Sequence, residues 1–263
     1  MENKNHDLLN IPVFNTDLFI PRYKDIEYKN WKIEHMGLGF DHGYFTDVWA
    51  VENMPILSRR NEDDPEVWES WMSICPHELE SQELGCRYAY GETIVMGLGM
   101  GWIAINAALN KNVSKVKVIE LDTEVIDLYN NCGATVGVPE EALNKIEIIH
   151  ADAKEWRNEE GKTDFLYIDI WKHLVEPQTL DDVRMMQIHL NAEQIYFWGQ
   201  ELCLYNEMKE ADFSDDEITN DTLRFLIENT LELPILIPDD IDYASLVKKA
   251  VQQRIKRRLP LKL

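Results

Sequence analysis

Three carboxylates, Glu120, Asp152 and Asp169, each follow a short apolar run, and a fourth such run ends in the glycine-rich stretch Gly97-Leu98-Gly99-Met100-Gly101. A carboxylate at the C-terminal end of a strand has two oxygens able to accept from the vicinal hydroxyls of a ribose, which is the role expected of Glu120. Asp152, in His150-Ala-Asp152-Ala153, is placed to accept from an exocyclic adenine amine. Asp169 falls at the rim where open parallel sheets bind ligands, and it is the candidate general base or amine-orienting group; capping the next helix or holding a ligand's amino group is the alternative. In a chain with 48 acidic residues, each of these alone reads as a surface acid. Their order at successive strand ends is harder to obtain by chance.

To bring these groups to one rim the chain needs a parallel sheet. Strands are expected at Thr93 to Met96, Lys115 to Glu120, Ile146 to His150, Phe165 to Asp169 and Gln194 to Trp198, with helices at Trp102 to Leu109, Thr123 to Asn131 and Leu180 to Leu190. The alternation predicts an α/β, doubly wound, Rossmann-like and mostly parallel sheet over residues 91–200. Residues 1–90 contain Pro12, Pro21, Pro55, Pro65 and Pro76 and several β-like stretches, clearest at Gly43 to Val51, and read as a β-rich extension or lid. Within it Glu62-Asp-Asp-Pro-Glu66 marks a solvated turn, and Glu66 to Met72 reads as a short helix with Trp68 and Trp71 on one face. Residues 201–263 read as a helical segment. There Ser214-Asp-Asp-Glu217 fits a capping box before Ile218, Leu223, Leu226 and Ile227, Pro234 and Pro238 interrupt the run, and Tyr243 to Arg258 forms the last helix.

Composition narrows the function classes. At 263 residues and 45% hydrophobic content the chain can fill a core, and no apolar run approaches a membrane span. The first seven residues include Asn, Lys, His and Asp and lack a leader pattern, so a cytoplasmic location is expected. Cys75, Cys86, Cys132 and Cys203 are scattered, as reduced thiols are, and neither they nor the seven histidines have metal-site spacing. Net charge is −22, although residues 248–263 carry seven Lys or Arg and no acid. A body so acidic repels a phosphate backbone, which disfavours nucleic acid as a partner. The basic tail reads as a terminal helix lying on its own acidic body or on a second subunit.

The glycine spacing is itself selective. A dinucleotide fingerprint wants its third glycine where Trp102 stands, and the phosphate loop ending in Gly-Lys-Ser/Thr is absent, so a turn without pyrophosphate demands remains. With Glu120, Asp152 and Asp169 beside it, the span Glu92 to Asp169 resembles the core of class I S-adenosylmethionine-dependent methyltransferases. Within that superfamily it is most similar to the spermidine synthase-like branch, whose second-strand motif resembles Val118-Ile-Glu-Leu-Asp-Thr-Glu-Val-Ile126 and which also has a β-rich piece before the core. The likeness is loose over the N-terminal third. It implies S-adenosylmethionine, or its decarboxylated form, bound by Gly97, Leu98, Gly99, Gly101, Glu120, Leu121, Asp152 and Ala153 together with Asp169. It also implies a small-molecule acceptor and a homodimer.

Departures from the branch bear on the reaction. Its aminopropyl-transferring enzymes carry an aspartate where this chain has Met100, and a second aspartate three residues after the one matched by Asp169, where this chain has Lys172. Losing these carboxylates opposes a cationic diamine. The Asn/Asp-Pro-Pro-Tyr signature of many amino-methylating enzymes is also absent. Methyl transfer asks mainly for alignment, so the donor pocket can be legible while the acceptor stays hidden. The acceptor-side candidates are Asp169, Trp171, Lys172 and His173 after the fourth strand, Glu78, Glu80 and Gln82 before the first, and Tyr196 to Glu201 after the fifth. The expected activity is methylation of a small molecule, with aminopropyl transfer or a nucleoside-binding protein without turnover as alternatives.

Overall fold

The computed structural model describes residues 5–6, 10–159 and 161–261. A two-stranded ladder of β1 (Asn5–His6) and β2 (Ile11–Pro12) precedes an antiparallel sheet of β3 (Ile26–Tyr28), β4 (Trp31–His42), β5 (Val48–Arg60) and β6 (Trp68–Ser73), hydrogen-bonded in that order. Helix α1 (Pro76–Tyr88) leads into β7 (Gly91–Met96), α2 (Trp102–Leu109), β8 (Val113–Glu120), α3 (Thr123–Asn131), the short α4 (Glu140–Leu143), β9 (Ile146–His150), β10 (Phe165–Ile168), α5 (Thr179–Leu190) and β11 (Gln194–Phe197). The chain continues through α6 (Gln200–Glu210), α7 (Asn220–Leu226) and α8 (Tyr243–Lys256).

Strands β7 to β11 form one parallel sheet in the order β11-β10-β7-β8-β9, a Rossmann-like arrangement flanked by helices. Its inner strands read as continuous apolar runs because both faces are covered: Ile94 to Met96 in β7 and Phe165 to Ile168 in β10 are all buried. Helix α2 is buried on every side from Trp102 to Ala108, which explains why all its residues but Asn106 are apolar; Asn106 is paired with the Phe19 backbone. The strand order turns at β7 and β10, whose C-terminal ends therefore flank the crevice where doubly wound sheets take their ligands. Gly97 and Asp169 are the first residues past those two strands.

The N-terminal sheet corrects two expectations. Trp68 to Ser73 is a strand, not part of a helix over Glu66 to Met72, because it pairs along β5 from Arg60↔Trp68 to Ile56↔Ser73. The three-residue spacing of Trp68 and Trp71 that mimics a helix face comes from a bulge, since Leu57 faces Met72 and Ser58 faces Ser70, leaving Trp71 as the extra residue. Likewise Gly43 to Asp47 is the turn between β4 and β5, not strand, and Glu80 holds it by accepting from the amides of Phe45 at 2.7 Å and Thr46 at 3.2 Å.

The helical C-terminal segment keeps the expected capping box, with Ser214 N donating to Glu217 Oε2 at 2.8 Å. It encloses only a 3-10 turn, and a second box at Thr219 and Thr222 starts α7. Lys256 reaches Asp47 of the β4–β5 turn at 2.7 Å, so this basic side chain is matched on the chain's own acidic surface. Glu201, fully buried at the start of α6, ties these parts together. It accepts from the phenols of Tyr44 at 3.2 Å, Tyr196 at 3.1 Å and Tyr243 at 3.0 Å.

All four cysteines are free and buried. No helix among the described residues is long and apolar enough to cross a membrane. Most of the first seven residues, read for a leader, and Lys262 of the basic tail lie outside the described residues.

Candidate functional site

Between the C-terminal ends of β7, β8 and β10 and the antiparallel sheet lies a cavity of about 560 Å³. Gly97, Leu98, Gly99, Glu120, Leu121, Asp152, Ala153 and Asp169 all line it. Gly101 does not. It stands behind the turn with φ 77°, caps α2, and a side chain there would collide with the ring of Tyr129.

The glycine turn is built so that main chain forms this wall. Gly97 has φ 96°, and a Cβ there would run into the carbonyl oxygen of Asp169 on the adjacent strand end. Gly99 has φ 50°, with Met72 of β6 only 2.6 Å from where a Cβ would sit. Glu120 is fixed from both sides: Oε2 accepts from Leu98 N at 2.9 Å and Oε1 from Asp122 N at 2.8 Å. Each carboxylate oxygen keeps a second acceptor site, so the group is oriented without being saturated. Burial raises its pKa, and the amides of Asp122 and Leu98 oppose the rise. Asp152 is exposed and shaped by its own turn, accepting from Lys154 N at 2.9 Å.

A different chemistry lines the wall formed by α1 and β10. Gln82, 1% exposed, donates from Nε2 to Glu78 Oε1 at 2.7 Å and to Asp169 Oδ2 at 3.2 Å, bridging two carboxyls that both face the cavity. Burial lifts Asp169 to about 7 and raises Glu78 well above the carboxylate range, the neighbouring Asp169 adding to the latter. Three buried polar atoms of cavity-lining residues have no hydrogen-bond partner: Gln82 Oε1, Tyr167 OH and Trp102 Nε1. Groups of this kind are costly to bury unless something accepts or donates to them.

The antiparallel sheet contributes aromatic surface. Trp31 and Trp71 meet edge to face at 5.4 Å, Trp31 Nε1 donates to Asp122 Oδ2 at 2.9 Å, and the Arg59 guanidinium lies 5.6 Å and 5.9 Å from the two rings. Glu62 pairs with Arg59 at 3.1 Å. Leu57, Met72, Trp171 and Trp198 also line the cavity, as does Lys154, which pairs with Asp182 at 2.8 Å.

Of the acceptor-side candidates, the structure brings Glu78, Gln82, Asp169, Trp171 and Trp198 to the cavity. Glu80 is spent on the β4–β5 turn, Tyr196 and Glu201 belong to the buried phenol cluster, and His173 engages Glu176 through its amide. Lys172 points to Glu69 at 3.1 Å and is absent from the cavity wall. It therefore does not oppose a cationic ligand there, and Glu78 supplies a second carboxyl that its replacement of an aspartate had seemed to remove. Sequence reasoning missed Trp31, Arg59, Trp71, Met72, Trp102 and Tyr167 as lining residues. The bulge that aims Trp71 and the cross-strand pairing of Trp31 with Arg59 assemble the first three, and neither leaves a local signature.

No protein-family model and no curated protein matches the chain. Among solved structures it is similar to a proposed RNA methyltransferase from Pyrococcus horikoshii, with 17% identity over 44% of this chain and 52% of that one and a TM-score of 0.31. It is also similar to the CcbJ methyltransferase of Streptomyces caelestis, with 13% identity over 42% of this chain and 45% of that one and a TM-score of 0.32. A third is the glycopeptide N-methyltransferase MtfA complexed with S-adenosylmethionine, with 16% identity over 42% and 48% and a TM-score of 0.31. The chain thus spans about half the length of the structures it matches.

Proposed function

We propose that this chain binds S-adenosylmethionine against the glycine turn and transfers its methyl group to a small molecule. One observation carries the reading: a carboxylate at the end of the second parallel strand, oriented by two amides and facing a cavity of which one wall is the main chain of the glycine turn. The residues fit such a donor. Glu120 offers an acceptor site on each oxygen to the ribose hydroxyls, Gly97 and Gly99 leave the crevice free of side-chain bulk, and Asp152 with Ala153 forms the far rim. Asp169 holds the donor's amino end or takes a proton from the acceptor. When bound, the donor would supply an already activated methyl group, the C–S bonding pair staying on sulfur as an acceptor lone pair forms the new bond to carbon. The chain's own task is then to hold both partners in line and keep water out, which the indoles and Met72 over the turn suit.

Incubation with S-adenosylmethionine and fractionated small-molecule pools, followed by mass spectrometry for S-adenosylhomocysteine, tests the reading. Product that appears only with an acceptor fraction supports a methyltransferase. Donor binding with no product in any fraction contradicts turnover and leaves a binding protein.

A further inference from the structure

We propose that the acceptor is a monoamine carried on an aromatic body, its nitrogen held among Glu78, Gln82 and Asp169 and its ring placed against Trp31 and Trp71. This rests on the donor reading above and names the acceptor class that reading leaves open.

The nitrogen end follows from what the α1–β10 wall lacks. Two carboxyls and one amide converge there, Gln82 spends both its N–H groups on the carboxyls, and its Oε1 is left buried without a partner. Every remaining acceptor site on this wall calls for an N–H or O–H from a ligand. An ammonium brings up to three donors and a charge that draws these raised carboxyls toward their ionised form, whereas a hydroxyl brings one donor and no charge. Asp169 then takes one proton: its carboxylate becomes a carboxylic acid, the N–H pair stays on nitrogen, and the ammonium becomes the neutral nucleophile.

The far end suits a ring. Arg59 lies over Trp31 and Trp71 with its charge matched by Glu62 at 3.1 Å, and Trp31 Nε1 donates to Asp122 Oδ2, so the charges at this end already have partners and the two indoles are its open surface. An uncharged ring meets the edges and faces of the two indoles, the geometry that aromatic pairs prefer.

The test is calorimetry on the full chain saturated with S-adenosylhomocysteine, titrated with 2-phenylethylamine, 2-phenylethanol and putrescine. The amine is expected to bind about tenfold or more tighter than either competitor, from the charge-assisted hydrogen bonds the others cannot make together with the ring contact. Glu78→Gln is expected to remove about tenfold of that preference while S-adenosylhomocysteine affinity stays, which also shows that the variant is folded. Putrescine or the alcohol binding as tightly as the amine, or an amine affinity unchanged by E78Q, overturns the assignment. Failure of S-adenosylhomocysteine itself to bind overturns the donor reading as well, whereas its binding without the amine overturns the acceptor class alone.

Discussion

Asp169 joins the donor and acceptor sides of the proposed site, and its protonation governs what that site can do. Burial lifts its carboxyl to about 7, so as a proton acceptor it becomes competent only as pH rises through that value. Methyl transfer is expected to climb with pH around 7, and Asp169→Asn to abolish that limb and lower the rate by about 100-fold or more, read from initial rates across pH 5.5–9. A flat profile in the unaltered protein would remove Asp169 from the proton-transfer step. The positions of this residue and Glu120 on the cavity wall were legible in the sequence because one follows and the other ends an apolar strand, which fixes where a carboxylate emerges. Glu78 and Gln82 were only candidates, since their place depends on how α1 docks against β10. Lys172 misled for the same reason: its position after the strand was right, but its side chain reaches Glu69 instead of the cavity.

The elements impose costs that substitutions can rank. A Cβ at Gly97 meets the Asp169 backbone, which cannot yield without moving β10, whereas at Gly99 it meets the flexible end of Met72. Both positions also carry positive φ, which costs about 1–2 kcal/mol for a side chain. Gly97→Ala is therefore expected to lower stability in urea unfolding more than Gly99→Ala does, and an equal or reversed order would contradict the packing described for the turn. Helices α2 and α3 were legible to the residue, as glycines and the Asp122 cap delimit them. Strand β6 was not, because the bulge at Trp71 replaces the period of two by a spacing of three, and only cross-strand pairing with β5 reveals it. The bulge is what delivers Trp71 to Trp31. Trp71→Ala should weaken acceptor affinity with little effect on S-adenosylhomocysteine binding, and a matched loss of both would place this indole on the donor instead.

At the scale of the whole molecule, Glu201 links the β4–β5 turn, the parallel sheet and the C-terminal helices through three phenols. Burial raises its carboxyl to about 7, as it does for Asp169, so the folded chain retains protons that the unfolded chain has released. The unfolded chain binds fewer protons between roughly pH 4 and 7, so this contribution to stability is complete below that window, declines across it and is flat above. Glu201→Gln should flatten the decline in urea midpoints between pH 5 and 8; an unchanged pH dependence would show that the carboxyl is not held protonated. The fold class followed from the strand–helix alternation alone. The roof of the cavity did not, because the antiparallel sheet that makes it meets the parallel core through contacts far apart in the chain, such as Trp31 with Asp122.

The account depends above all on Glu120 and the glycine turn holding an adenosine-bearing donor. Calorimetric titration of the protein and its Glu120→Ala variant with S-adenosylhomocysteine tests this directly. We expect one site per chain and a loss of about 1–3 kcal/mol in the variant, the cost of removing a charged hydrogen-bond acceptor. Absence of binding to the unaltered protein, or equal affinity in the variant, would contradict it.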